Sequence, residues 1–223
     1  MLGILSVAIW GWQKLHDPNT LPIQAIKIEG NVKHLSHHAI EQAILPYVLS
    51  QGFFAVNVAG LRDHLMQLPW VELASVTRVW PNSLLVNITE QQAVAQWLDD
   101  SLLNSQGELF SPEKYTFPSG LPKLEGPQGQ HQQVLAHYRA MSDMLAPLNL
   151  LIEHIVLSAR NAWLLKLNNG MTLLLGRIEP MERLQNFIDV YQKVFANTAL
   201  QAERVDLRYE QGLAVQWKPK ARR

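Results

Sequence analysis

Cysteine is absent from the 223-residue chain, and charged residues are scarce. The missing thiols exclude disulfides, cysteine nucleophiles and zinc sites built on thiolates. Charged residues make up 17% of the chain, and 19 lysines and arginines balance 19 aspartates and glutamates. A nucleic-acid-binding protein usually carries a basic excess, so this balance argues against a nucleic-acid partner. The 48% of hydrophobic residues is typical of a globular protein.

Motifs that support catalysis are also missing. The chain has no G-x-S-x-G elbow, no phosphate-binding glycine loop and no H-E-x-x-H metal motif. Adjacent carboxylates such as Asp99-Asp100 point apart in an extended chain, which disfavours a joint acid–base role. Four histidines could in principle bind zinc, but they lack regular spacing on one helical face: His34, His37, His38 and His64. We therefore expect no enzyme activity, no cofactor, no metal and no small-molecule substrate.

Long apolar runs are confined to the N-terminus. Residues 1–12, MLGILSVAIWGW, carry no charge, but a helix needs about 20 apolar residues to cross a bilayer. The run lacks the positive region and cleavage site of a signal peptide, and Trp10 and Trp12 are of the type that collects at membrane interfaces. We interpret it as the outer part of a truncated transmembrane helix. The alternative is a short apolar helix packed on the domain.

A proline-containing linker over residues 13–22 leads to a first compact segment, residues 23–91. Pro46 is expected to bend or end the first helix of this segment, and Pro69 to stop the second. The predicted order is β-α-α-β-β: a strand over 26–29, a helix capped by Ser36, a helix capped by Asn57, and strands over 71–79 and 84–90.

Residues 92–218 have a different pattern and predict a larger domain, an antiparallel or mixed sheet with two packed helices. Residues 111–129 are rich in Pro and Gly and predict a long irregular connection. The basic residues 219–223 predict a solvated tail. The other predicted elements are a helix from Val134 to Leu148, strands over 152–157 and 163–167, a hairpin at Asn168-Asn169-Gly170, a helix opened by Pro180, and strands over 205–209 and 213–217. The fold class is α+β.

Short motifs in fixed order suggest a family. The first segment contains Leu68-Pro69-Trp70-Val71, Val76 and Trp80-Pro81, and the second contains Leu167-Asn168-Asn169-Gly170, Leu175-Gly176-Arg177 and residues 205–209, followed by Gly212 and Trp217. This set resembles the FtsQ family, called DivIB in Gram-positive bacteria, from about Gly11 almost to the C-terminus. The resemblance implies a POTRA domain over 23–91 and a β domain over 92–218.

The resemblance also implies a function. It suggests a non-enzymatic divisome scaffold of a Gram-negative bacterium, a single-pass inner-membrane protein with its bulk in the periplasm at the division septum. The implied partners are FtsB and FtsL at the β domain and FtsK at the POTRA domain, with FtsW, FtsI and FtsN as further candidates. The scaffold would coordinate septal peptidoglycan synthesis. Two alternatives stay open: a POTRA-bearing component of outer-membrane protein export, and a periplasmic hydrolase.

The last predicted strand is a candidate binding site on physical grounds. A C-terminal strand often lies at a sheet edge, where unpaired backbone groups can accept a strand from a partner. Residues 212–217, including Leu213 and Val215, carry no charge and no proline. Tyr209 and Trp217 are of the type that concentrates binding energy, and Arg177 could form a forked bond to a carboxylate. The alternative is an internal strand with Val215 and Trp217 as ordinary core.

The resemblance assigns partner contacts to specific positions. Those matching Tyr209, Gly212, Trp217 and Arg177 contact FtsB in the family. In the POTRA domain, Val56, Val76 and Arg78 match positions implied in recruitment. Val76 and Arg78 share one face of their strand because they are two residues apart, and an exposed valine beside an arginine hints at a contact surface. A plain solvent-facing strand is the alternative.

Overall fold

A computed structural model of the protein describes residues 21–49, 51–194, 202–209 and 212–218. The chain divides into two compact units, with the boundary between Gln92 and Ala93. The apolar run 1–12, nearly all of the linker 13–22 and the tail 219–223 lie outside the described residues. Of the helices in the described ranges, none combines the length and hydropathy that a bilayer crossing requires.

The first unit has the predicted β-α-α-β-β order, which the structure confirms. Its described strands form one sheet in the order β1-β3-β2, with β1 parallel and β2 antiparallel to β3. The elements are β1 (Ala25–Glu29), α1 (His37–Val48), α2 (Val58–Leu65), β2 (Val71–Val79) and β3 (Ser83–Glu90).

The predicted helix caps are both present. The Ser36 hydroxyl accepts the Ala39 N–H at 3.1 Å, and the Asn57 side chain accepts the Gly60 N–H at 3.0 Å. Each cap satisfies one of the N–H groups that the first turn of a helix leaves without a partner.

The prediction that Pro46 bends or ends α1 is wrong about the end of the helix, because α1 continues to Val48. A proline near the end removes one hydrogen bond, and pairing resumes where the Leu49 N–H donates to the Leu45 carbonyl at 3.0 Å. Burial of Ile40 and Ile44, each at most 1% exposed, holds the preceding turns in place.

The Glu90 carboxylate at the end of β3 fixes the loop that precedes α1. It accepts the backbone N–H groups of Lys33 at 2.8 Å, His34 at 2.7 Å and Leu35 at 2.8 Å. The Glu90 side chain is only 7% exposed, and the His34 ring stacks on Trp70 with centroids 4.4 Å apart. A buried carboxylate with three N–H donors joins the sheet to the start of the helical layer.

The second unit is built on a larger sheet. Its described strands run in the order β12-β11-β10-β9-β8-β7-β4-β5-β6. The elements are β4 (Ala93–Trp97), β5 (Ser101–Asn104), β6 (Leu109–Phe110), β7 (Lys123–Glu125), α3 (His131–Leu145), β8 (Ile152–Leu157), β9 (Trp163–Leu167), β10 (Thr172–Gly176), α4 (Pro180–Val194), β11 (Ala202–Asp206) and β12 (Ala214–Trp217).

One predicted loop of the second unit contains a central strand. Residues 111–129 were expected to be irregular, but they include a 3₁₀ turn at Lys114–Thr116 and the strand β7. β7 lies between β4 and β8 and is parallel to both. Its three residues are too few to show alternation, and only the fully buried Leu124 reveals the inward face. Tertiary pairing, and not local propensity, makes this segment a strand.

Helices α3 and α4 cover one face of this sheet and form the core with it. The predicted hairpin at Asn168-Asn169-Gly170 is confirmed, since it joins antiparallel β9 and β10. The buried residues include Leu124, Ile155, Leu165, Leu173 and Val205 from the strands and Val134, Met141, Leu145, Leu184 and Phe187 from the helices.

The strand predicted over 205–209 is shifted. β11 spans Ala202–Asp206, and Tyr209 lies beyond its end. The cause is local: the Asp206 carboxylate accepts the N–H of Arg208 at 3.1 Å. A side chain that bonds the backbone two residues on forms a turn in place of extended chain.

We predict that Glu90→Gln lowers the free energy of unfolding of the first unit by about 1–3 kcal/mol. The amide supplies one acceptor oxygen and turns a donor group towards backbone N–H groups that also donate. Chemical denaturation measures the loss, and hydrogen exchange should be faster at the amides of residues 33–35. Glu41→Gln, an exposed position on α1, is the matched control and should change neither; unchanged exchange in Glu90→Gln would contradict the role of the carboxylate.

Candidate functional site

The last strand lies at the edge of the second sheet, as predicted. β12 pairs antiparallel with β11, matching Val215 to Val205 and Ala214 to Asp206. Among the described strands none pairs with its other side. Within the described residues β12 is therefore an edge strand and not an internal one. An edge strand presents backbone N–H and C=O groups in a row to solvent or to a partner.

The side chains of β12 and of the residue before it divide between two faces. Leu213, Val215 and Trp217 are half-buried and pack against the core on the helical side of the sheet, whereas Ala214 and Gln216 are exposed. The interpretation of Val215 and Trp217 as core residues is thus partly right, because their side chains pack against the core. Their backbone nevertheless lies at the edge of the sheet. The strand is held in position by its own packing before any partner binds.

A cleft of about 450 Å³ opens beside this edge. One wall is the polar side of α4, and the other is the connection between β11 and β12. Tyr209 in this connection is 61% exposed. The lining residues are Arg183, Asn186, Asp189, Val190, Leu207, Tyr209, Gly212 and Leu213. The structure therefore brings three of the predicted site residues to one cleft.

An ion pair shapes the chain just before Tyr209. The Arg208 guanidinium donates to both carboxylate oxygens of Asp206, at 2.8 and 2.6 Å. The side-chain hydrogen bond from Arg208 lowers the pKa of Asp206 below its ordinary value. The stabilisation is thus present above the ordinary pKa of aspartate and is lost as the pH falls through the lowered one. At neutral pH the Asp206–Arg208 ion pair keeps closed the turn that presents Tyr209.

Arg177, the remaining predicted site residue, lies at the end of β10. It is exposed and does not line the cleft. Its neighbour Gly176 has φ +76°, and a Cβ there would lie 2.9 Å from Arg183 Nη1 and 3.0 Å from Arg208 Cγ. Arg183 in turn donates to the Leu175 carbonyl at 2.8 Å. The side chains of Arg183 and Arg208 thus both approach the backbone at Gly176, the neighbour of Arg177.

Sequence analysis missed the α4 wall of the cleft. It predicted the helix opened by Pro180 but did not single out Arg183, Asn186 and Val190. Their spacing of three and four residues places them on one helical face, which was a detectable signal. That this face lies beside β12 depends on the strand order, which the spacing does not show.

The three candidate residues of the first unit also lie together. The Arg78 guanidinium donates to the carbonyls of Phe53 at 2.9 Å and Val56 at 2.6 Å. The side chain of Val56 is 1% exposed, so it cannot itself meet a partner. Arg78 thus holds the loop before α2 against the end of the edge strand β2.

The expectation of an exposed valine at position 76 is not met. Val76 is half-buried and pairs with Val86, whose side chain is fully buried beneath the helices. Val76 and Arg78 therefore share the helix-covered face of the sheet, as their two-residue spacing requires. The outer margin of that face is where they reach solvent.

Of the histidines and carboxylates considered as candidate ligands or catalytic groups, His64 and Asp99 each contact a neighbouring side chain. Within the described parts of the chain, no three potential ligands cluster as a metal site would require. His64 lies against the ring of Tyr47, with centroids 5.2 Å apart. Asp99 forms an ion pair with Lys123 at 2.9 Å, and the hydrogen bond from Lys123 lowers the pKa of Asp99.

Comparison with known proteins gives matches to both units. Residues 21–91 match the family described as POTRA domain, FtsQ-type, and residues 95–208 match Cell division protein FtsQ/DivIB, C-terminal. The resemblance inferred from the sequence motifs is thereby confirmed. Because the matching POTRA family is the FtsQ type, the export alternative is not favoured.

Whole-chain relatives agree with these matches. The chain is 37% identical over 204 residues to Cell division protein FtsQ of Coxiella burnetii, covering 92% of this chain and 84% of the relative. The FtsQ of Shewanella oneidensis is 37% identical over 224 residues, covering 97% and 85%. That of Escherichia coli is 33% identical over 224 residues, covering 97% and 81%.

We predict that Gly176→Ala destabilises the second unit by about 1–3 kcal/mol, because it combines an unfavourable φ with a collision at two arginines. Gly120→Ala is the matched control: Gly120 has φ +82°, but a Cβ there meets nothing within 4 Å. Urea denaturation of both variants separates the two causes. Equal losses would show that the close approach of the two arginine side chains does not require the glycine.

Proposed function

This chain belongs to the FtsQ/DivIB family of cell division proteins, and from that premise we propose that it is a non-enzymatic scaffold of the divisome. The observation that carries the proposal is the edge strand β12 beside an open cleft. In this proposal the second unit binds FtsB and FtsL, the first unit carries the recruitment surface, and neither performs catalysis.

FtsB binding by strand addition fits the geometry of β12. An incoming strand would bond to the outer backbone groups of residues 214–217, and its alternate side chains would lie on either side of the sheet. Leu213, Val215 and Trp217 offer apolar surface on the helical side, where they are half-buried. FtsL would join the same assembly through FtsB.

Tyr209 and Trp217 supply the side-chain part of this interface. Tyr209 is 61% exposed at the cleft, and an exposed aromatic ring gains most when a partner excludes water from it. Trp217 extends the apolar side of β12 at its far end. Gly212 lets a partner approach the backbone closely, because it has no side chain and no described atom lies within 4 Å of the place where a Cβ would stand.

Arg177 extends the proposed interface beyond the cleft. It is exposed, and its neighbour Ile178 is 53% exposed. A partner segment that leaves β12 along the ends of the neighbouring strands would pass these residues. A carboxylate on that segment could accept both arms of the guanidinium.

The first unit would recruit the protein through Val76 and Arg78. Both reach solvent at the margin of the edge strand β2, and Arg78 orders the loop that contains Val56. FtsK is the proposed partner at this surface, and FtsW, FtsI and FtsN are proposed members of the same assembly. The protein would be anchored in the inner membrane by the apolar segment 1–12, with its bulk in the periplasm at the septum, and would help coordinate septal peptidoglycan synthesis.

We predict that Tyr209→Ala weakens binding of the FtsB periplasmic segment about 30-fold, the loss of about 2 kcal/mol typical of an interface hot spot. Trp217→Ala should weaken it as much or more. Isothermal titration of the full-length chain measures both. Tyr115→Ala replaces an aromatic residue that is 83% exposed elsewhere in the unit and should bind as the unchanged protein does. Normal FtsB binding by the Tyr209 and Trp217 variants, both folded, would contradict the proposed site.

We also predict that Val76→Thr/Arg78→Gln abolishes septal localisation of a fluorescent fusion. The pair removes apolar surface and a charge at the proposed recruitment margin with little change in volume. Ser75→Ala/Thr77→Ala, on the opposite face of the same strand, is the control and should localise normally. FtsB binding by both double variants should be unchanged, and a septal signal in the first would refute the recruitment role.

A further inference from the structure

The sheet of the second unit has a second face, turned away from α3 and α4. Side chains alternate along each strand, so the buried Leu165, Leu173 and Val205 point to the core and their neighbours point to the open face. Cross-strand register then places Lys166, Thr172 and Arg204 side by side on β9, β10 and β11. We refer to these three residues as the cationic row.

An apolar row lies next to the cationic row on the same face. Val156 is matched to Leu164 and Leu164 to Leu174, on β8, β9 and β10. All three side chains are half-buried. The solvated face of an antiparallel sheet is usually polar, so three adjacent aliphatic side chains depart from the expected pattern.

Charges around the two rows are mostly neutralised within the unit. On one side Glu125 lies 3.1 Å from Lys123 and 3.1 Å from His154. On the other side Asp206 is held by Arg208 at 2.6 Å. Glu203 accepts a hydrogen bond from the neutral amide of Gln216 at 3.2 Å and keeps its charge.

The two cations of the row differ from these neighbours. Lys166 and Arg204 are exposed, and among the described residues no carboxylate lies within ion-pair distance of either. The open face therefore combines an apolar strip with two positive charges that form no ion pair among the described residues.

We propose that this face binds an acidic amphipathic helix of a partner protein. Lys166 and Arg204 are two strand spacings apart, about 10 Å. Acidic residues seven positions apart on a helix are also about 10 Å apart, and apolar residues between them on the adjoining face would cover the apolar row. This goes beyond strand addition, because it uses the open face and not the backbone edge or the cleft beside α4.

The arrangement of the two rows favours a helix over the other anionic occupants. A membrane surface is usually recognised by a cluster of about four to eight basic residues, and this row has two. An added strand would bind at the sheet edge and would leave the face uncovered. A helix with one acidic flank satisfies both rows at once.

The test uses the full-length chain and a synthetic helical peptide of about three heptads, with leucine at the core positions and glutamate along one flank. Fluorescence anisotropy should detect binding that weakens with added salt. Lys166→Glu/Arg204→Glu should weaken it about tenfold or more, and Leu164→Thr should also weaken it. Arg160→Glu/Lys33→Glu, the same change of charge at two other exposed positions, should bind within about twofold of the unchanged protein.

Three results would overturn the proposal. One is no binding of the acidic peptide; another is equal binding of a peptide with lysine in place of glutamate; the third is an unchanged affinity in Lys166→Glu/Arg204→Glu. Binding of phosphatidylglycerol vesicles without binding of the peptide would likewise reject the helix as occupant. FtsB binding is titrated in parallel, and it should be unchanged in the charge-reversal variant, which separates this face from the β12 edge.

Discussion

Burial of one face of the second sheet beneath α3 and α4 is the constraint on which the rest of this unit depends. It forces alternate residues of every strand inward, so that the helical side of β12 is decided by the same packing that buries Leu165 and Leu173. What that packing cannot satisfy is the last row of backbone groups, because a sheet that does not close must end in an unpaired strand. The proposed FtsB site is this last, unpaired row of backbone groups.

Helix α4 has two roles in that arrangement. Its buried residues Leu184 and Phe187 complete the core, and its polar side forms one wall of the cleft next to Tyr209. Arg183 connects the two roles, since it lines the cleft and also donates to the Leu175 carbonyl at the end of β10. The position of the cleft wall is thus tied to the sheet by a hydrogen bond as well as by packing.

The sequence was sufficient to predict the features that depend only on neighbouring residues. The caps at Ser36 and Asn57 and the hairpin before β10 follow from residue types and their spacing. The edge position of β12 was one of two alternatives that the sequence left open, and the strand order decides it. The sequence was not sufficient for β7, because a strand of three residues gains its identity from two neighbours that are distant in the chain. The same limit applies to the candidate sites. Alternation placed Val76 and Arg78 together, but only the strand order and helix positions show that they lie at the margin of the helix-covered face and that Arg177 stands apart from the cleft.

The central position of β7 has a mechanical consequence. The first unit is joined covalently to β4, whereas the proposed partner strand adds at β12, so tension between them crosses the sheet from strand to strand. β7 meets β4 through two residue pairs, the shortest run along that route, and β8 through three. A component that pulls on β12 would load every pairing along this route, and the two-residue pairing of β4 with β7 would be the first to separate.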